Sequence, residues 1–183
     1  MKKVTIKSLL MDRVNNSPVV SLEIEGSSRV IYIWIGACEA WALAMALEGI
    51  SFERPLTHDL LLKTVEALDA VPERIIINSI SGGTFFAKLV LKKMSSGKDL
   101  DVFEGVTFID IDARPSDCIV LAAKTNIPIF VTSEVILEVS VEGNEKPELH
   151  KDDVEKTEFH KFLESFNIDD LKKYLKGKDD QSD

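Results

Sequence analysis

The sequence predicts an α+β fold: a mixed, largely antiparallel sheet with three core helices and a three-strand-plus-helix unit written twice. Three observations lead there. Short runs alternate apolar and polar residues as half-buried strands do, most clearly VVSLEIE (19–25) and VTFIDID (106–112). Helical spacing is confined to a few short stretches such as EAWALAMALEG. And two strand-to-helix junctions, IWIGACEAWALAMAL and IDIDARPSDCIVLAA, can be laid over each other with a small gap, each closing a run of three strands.

In chain order, 4–10 reads as a strand, NNSP (15–18) as a turn, 19–25 as a strand, and GSS (26–28) as a turn into the strand 30–35. The helix that follows has Glu39 in its first turn and Gly49 as its stop. THDLLLKTVEAL (57–68) is a second helix, with Thr57 as its expected N-cap. The pattern then restarts. RIIINSI (74–80) and TFFAKLVLKK (84–93) are strands joined by the turn SGG, 95–105 is a loop, 106–112 a strand, and 116–125 a helix. IPIFVTSEVI adds a short strand from Ile127. The globular domain is expected over 1–140. From 141 on the chain is a charged tail with two short amphipathic helices and a disordered end.

The 183 residues carry a net charge of -9, which argues against a generic nucleic-acid binder with a basic footprint. Residues 142–183 hold 13 acids and 8 lysines, so the tail accounts for -5 of that charge and the rest of the chain for -4. The clear basic cluster is Lys88, Lys92, Lys93 and Lys98. No apolar run reaches the roughly 20 residues that span a bilayer, so no membrane association is expected. Cys38 and Cys118 fall inside expected helices and are read as reduced thiols of a cytoplasmic protein.

Two segments, ERPLTHDLLL (53–62) and DARPSDCIVLAAK (112–124), each write Arg-Pro, then a hydroxyl and an acid, ahead of a helix. Helix capping explains part of this. Pro55 and Pro115 set the chain's approach, Thr57 and Ser116 can accept from free amides, and Asp59 and Asp117 suit the positive helix end. Capping does not explain Arg54 and Arg114. Nor does it explain Asp110 and Asp112, which share one strand face among the seemingly buried Phe108, Ile109 and Ile111. Carboxylates gathered at such a junction suit a hard cation, magnesium or manganese, and arginine suits a phosphate. A purely structural arginine–carboxylate network uses the same residues.

The segments IWIGACEAWALAMALEG, ERPLTHDLL, GGTFFAKLVL and DARPSDCIVLAAK…IPIFV, in this order and spacing, resemble the bifunctional nuclease domain family over roughly residues 18–137. The resemblance implies a mixed α+β fold and hydrolysis of RNA and DNA with little sequence preference. The motif residues it marks are Glu39, Arg54, Thr57, His58, Asp59, Asp112, Arg114, Ser116 and Asp117. Asp112, Asp117 and Glu39 are the expected metal ligands. Arg54 and Arg114 would stabilise developing phosphoryl charge, and His58, with Asp59 and Ser116 beside it, would be the general acid or base. The chain departs from the pattern at Leu68-Asp69, where Leu-Gly is expected, and at Cys118 and Val120. Two other readings fit the same residues. One is a non-enzymatic interaction module, a homo-oligomer and most simply a dimer, with Tyr32 and Trp34 near its interface. The other is a small-anion site at the two helix starts.

Overall fold

The computed structural model describes residues 1–12, 17–94 and 106–143. The expected tail helices, the 95–105 loop with Lys98, and part of the 15–18 turn lie outside the described residues.

Strands β1 (Lys2–Asp12), β2 (Ser17–Ile24) and β3 (Arg29–Trp34) form an antiparallel meander, followed by helices α1 (Ala37–Leu47) and α2 (Thr57–Ala67). A second meander, β4 (Ala70–Ser81), β5 (Thr84–Met94) and β6 (Val106–Ala113), leads into α3 (Pro115–Thr125). The chain ends its described course with β7 (Ile129–Val131), α4 (Ser133–Val139) and β8 (Val141–Glu142). All eight strands belong to one sheet, in the order β6-β5-β4-β7-β1-β2-β3-β8. The short β7 is the keystone: it runs antiparallel to β1 and parallel to β4. The two meanders therefore run in opposite senses and spread outward from β7.

One row of side chains crosses six strands on the helix-covered face: Ile24, Val4, Ile129, Ile75, Leu89 and Ile111 are successive register partners. The first five are buried and Ile111 is exposed. α3 lies against β4 and β5 and touches both α1 and α2. It buries Cys118, Ile119, Val120, Leu121 and Ala122, a nearly all-round apolar helix of the kind found at the centre of a layer. The departures Cys118 and Val120 are thus packing residues, both fully buried.

Local chemistry explains the turns. Gly82 and Gly83 join Ser81 to its partner Thr84, both with positive φ (55° and 78°), the two-residue hairpin geometry that other residues resist. Asp69 also has a positive φ (59°) just beyond the end of α2, at the position where glycine was expected. Asn126 closes α3 in the same left-handed conformation.

Several expectations are corrected. The fold has a fourth helix: the expected strand from Ile127 covers only Ile129–Val131, and Thr132 then starts α4, whose apolar Val135, Ile136 and Val139 recur at helical spacing. Thr57 and Ser116 are not caps. α2 is capped at Leu56 and α3 at Arg114, which places Thr57 first and Ser116 second within their helices. Phe108, Ile109 and Ile111 are exposed, because β6 is an edge strand with no neighbour beyond it among the described residues.

Asp69→Gly should stabilise the domain by about 0.5–1 kcal/mol, since a Cβ is disfavoured in the left-handed region. Urea unfolding should show a raised midpoint with an unchanged slope.

Candidate active site

Glu39, Asp59 and Asp117 occupy the same place, the third residue of their helices, in α1, α2 and α3 respectively. A carboxylate there faces the free amides and partial positive charge of the first turn. Asp59 Oδ2 accepts the Leu56 N–H at 3.0 Å, one half of a capping box. Glu39 folds back over the N-cap Gly36, whose missing Cβ leaves the room its carboxylate occupies.

The starts of α1 and α3 meet at Arg114. Its Nη2 donates to Glu39 Oε1 at 2.7 Å, and its Nε donates to Asp117 Oδ2 at 2.8 Å. A longer contact of 3.3 Å runs from Nη2 to Asp117 Oδ1. Asp117 and Glu39 hold the guanidinium pKa above its ordinary value, so Arg114 stays charged. Its side chain is nevertheless 67% exposed, whereas those of Glu39 and Asp117 are 15% and 29% exposed. The guanidinium forms the outward rim of the site.

His58, the second residue of α2, brings the third helix in. Its Nε2 lies 3.3 Å from Asp117 Oδ1. A salt-bridged carboxylate only accepts, so Nε2 is the donor of this contact. Asp59 faces elsewhere on the same helix pair: Lys124, near the end of α3, donates to its Oδ1 at 2.7 Å. Burial raises the Asp59 pKa, but Lys124, the Leu56 N–H and the neighbouring His58 together bring it below the ordinary value. Asp59 therefore clamps α2 to α3.

The remaining expected residues are placed as follows. Ser116 is buried inside the first turn of α3. Arg54 is exposed two residues before the α2 N-cap and makes no ion pair among the described residues. Asp112 is exposed on β6 opposite Lys88, and Asp110 accepts from Lys88 Nζ at 3.2 Å. Burial, with Asp117 and Asp112 nearby, pushes the Cys118 thiol up to about 12, which makes it inert. Of the expected cation ligands, Glu39 and Asp117 hold Arg114, and Asp112 lies on β6 opposite Lys88. Among the described residues no group of three or more His, Cys, Asp or Glu side chains is arranged to hold a metal ion. The positive charge at the centre is the guanidinium.

What the sequence did not offer is Lys124 as the partner of Asp59, and the direct junction between His58 and Asp117. The shared third-position acids were the available signal for both.

The model of the bifunctional nuclease domain matches residues 20–144, which include all three helix starts. The chain belongs to the bifunctional nuclease domain family. Uncharacterised proteins from two strains of Mycobacterium tuberculosis (CDC 1551 / Oshkosh and ATCC 25618 / H37Rv) are each 31% identical over 178 residues, covering 94% of this chain and 99% of theirs. That similarity runs well past residue 144, so the acidic segment after the bifunctional nuclease domain has a counterpart in those relatives.

The depressed Asp59 pKa sets a pH dependence. Its stabilising contribution is present above the ordinary carboxylate value and is lost as pH falls through the lower folded value. Asp59→Asn should cost about 1 kcal/mol or less at neutral pH, and the difference from wild type should shrink below about pH 4. Paired urea titrations at neutral and acidic pH measure it.

Proposed function

We propose that this chain hydrolyses phosphodiester bonds of RNA and DNA with little sequence preference, at the junction of the three helix starts. Membership of the bifunctional nuclease domain family supports the reaction class. The single observation that carries the site is Arg114: a permanently charged, solvent-facing guanidinium anchored from behind by Glu39 and Asp117. Such a preorganised cation can meet the charge that develops on phosphoryl oxygens. Arg54, exposed and without an ion pair among the described residues, would extend the grip along a phosphate backbone.

DNA lacks a 2′-hydroxyl, so a substrate range that includes it requires water as the nucleophile. His58 is the group to activate that water. With Nε2 committed to Asp117, its free Nδ1 can accept the proton and later return it to the leaving oxygen. Asp117 is a positioning residue for both His58 and Arg114. Magnesium or manganese is the cofactor its carboxylates would take, but no step above requires one.

One observation favours a second reading, a non-enzymatic interaction module: two acids already balance Arg114, and the chain as a whole is acidic.

The test is turnover of labelled RNA and single-stranded DNA by the purified chain, with magnesium, manganese or EDTA. Arg114→Ala should lower kcat about 10²–10³-fold. His58→Gln should lower it about 10²–10⁴-fold, with circular dichroism unchanged. Absence of turnover under every metal condition, or equal turnover by both variants, would defeat the nuclease reading.

A further inference from the structure

β6 forms one edge of the sheet and exposes apolar side chains on both of its faces. Phe108 is 50% exposed on one face, while Ile109 and Ile111 are 39% and 40% exposed on the other. The strand has eight residues, contains no proline and, among the described residues, pairs on one side only, with β5. Natural sheets blunt such edges, because a row of free amides and carbonyls beside apolar side chains recruits another strand. The opposite edge is treated that way here: β8 covers the start of β3 at Arg29 and Val30. At β6 the described residues supply no cover, and the apolar row through Ile75 and Leu89 ends uncovered at Ile111.

We propose that β6 pairs antiparallel with β6 of a second copy of this chain, about a two-fold axis at Ile109, joining two sheets into one. The charge pattern selects the second copy and the register. With the axis at Ile109, residues 106–112 all find partners. Ile109 meets Ile109, Ile111 meets Thr107, Phe108 meets Asp110 and Val106 meets Asp112 of the second copy. No carboxylate opposes another. Moving the axis to Asp110 sets Asp110 against itself, which is unfavourable across a strand pair. Moving it to Phe108 shortens the described overlap to 106–110 and leaves Ile111 unpaired. Lys88 already neutralises Asp110 within its own copy at 3.2 Å, so the copies approach without an uncompensated like charge.

A nucleic-acid strand fits this edge less well. It could stack on Phe108, where the Arg74 guanidinium already lies 5.2 Å from the ring centre. Asp110 and Asp112 share that face and would repel its phosphates, and Ile109 and Ile111 on the other face would stay bare. A paired strand accounts for both faces. The inference does not depend on the nuclease reading.

The experiment is light-scattering mass of the full-length chain across the micromolar range, with two kinds of variant. Wild type should weigh twice the 20.4 kDa of one chain. Ile109→Lys, a change at an exposed site that should leave circular dichroism intact, should weigh 20.4 kDa. In a Cys38→Ser background, Ile109→Cys should form a disulfide-linked dimer on mild oxidation far faster than Leu137→Cys, a control on α4 at 77% exposure. A monomeric wild type overturns the proposal. So does a dimer that survives Ile109→Lys, or cross-linking at 109 no faster than at 137.

Discussion

The site depends on one guanidinium placed where three helices begin. Each helix start presents unpaired amides and a partial positive charge, so three of them brought together would repel one another and any further cation. The chain answers with an acid at the third position of each helix, Glu39, Asp59 and Asp117. Those acids in turn need positive partners. Arg114 serves two of them and Lys124 the third. A single exposed pair of this kind contributes about 1 kcal/mol or less. Shared by two half-covered acids from different helices, the guanidinium instead fixes how α1 and α3 meet, and its planar fork suits that better than an ammonium would. The same contacts that hold the helices leave the outer side of the guanidinium facing solvent.

The topology explains why these parts meet. The two meanders spread in opposite senses from β7, and the helix after each returns over the same face. That brings the start of α1 to the start of α3 and sets Glu39 beside Arg114. α2 has no counterpart after the second meander, and it carries His58. The arginine–acid frame therefore comes from α1 and α3, and the histidine from α2. At the second position of the helix, where α2 has His58, α3 has the buried Ser116 and α1 has Cys38. Of these three second-position residues, only the one on α2 is a histidine.

Much of this was legible in the residues, for identifiable reasons. Strand alternation located β2, β3 and β6, and the paired Arg-Pro segments located the two junctions that converge through His58 and Asp117. The failures share a cause: a local pattern does not carry its tertiary surroundings. Thr57 and Ser116 have the chemistry of caps, yet the third-position acid Asp59 already satisfies the Leu56 amide, and Pro115 takes the first helical position of α3. Asp110 reads as one of a group of carboxylates at the junction, and β5 brings Lys88 across to it. Phe108, Ile109 and Ile111 have the composition of a central strand, and only the strand order shows that nothing described lies beyond them. α4 was hidden because the apolar, β-branched run of 127–136 continues a strand pattern through the point where Thr132 turns the chain into a helix.

The edge strand and the site are joined by the chain itself. β6 ends at Ala113, and the next residue is Arg114, the N-cap of α3. The backbone that aims the guanidinium is therefore the continuation of a strand that, among the described residues, is held from one side only. A strand paired on one side is freer to twist than one paired on both, and its terminal residues move most. The acids from α1 and α3 counter that freedom from the helix side, which is why Arg114 needs two partners rather than one. Order at the guanidinium thus comes from two directions, from the ion pairs beneath it and from the β5–β6 ladder that leads into it.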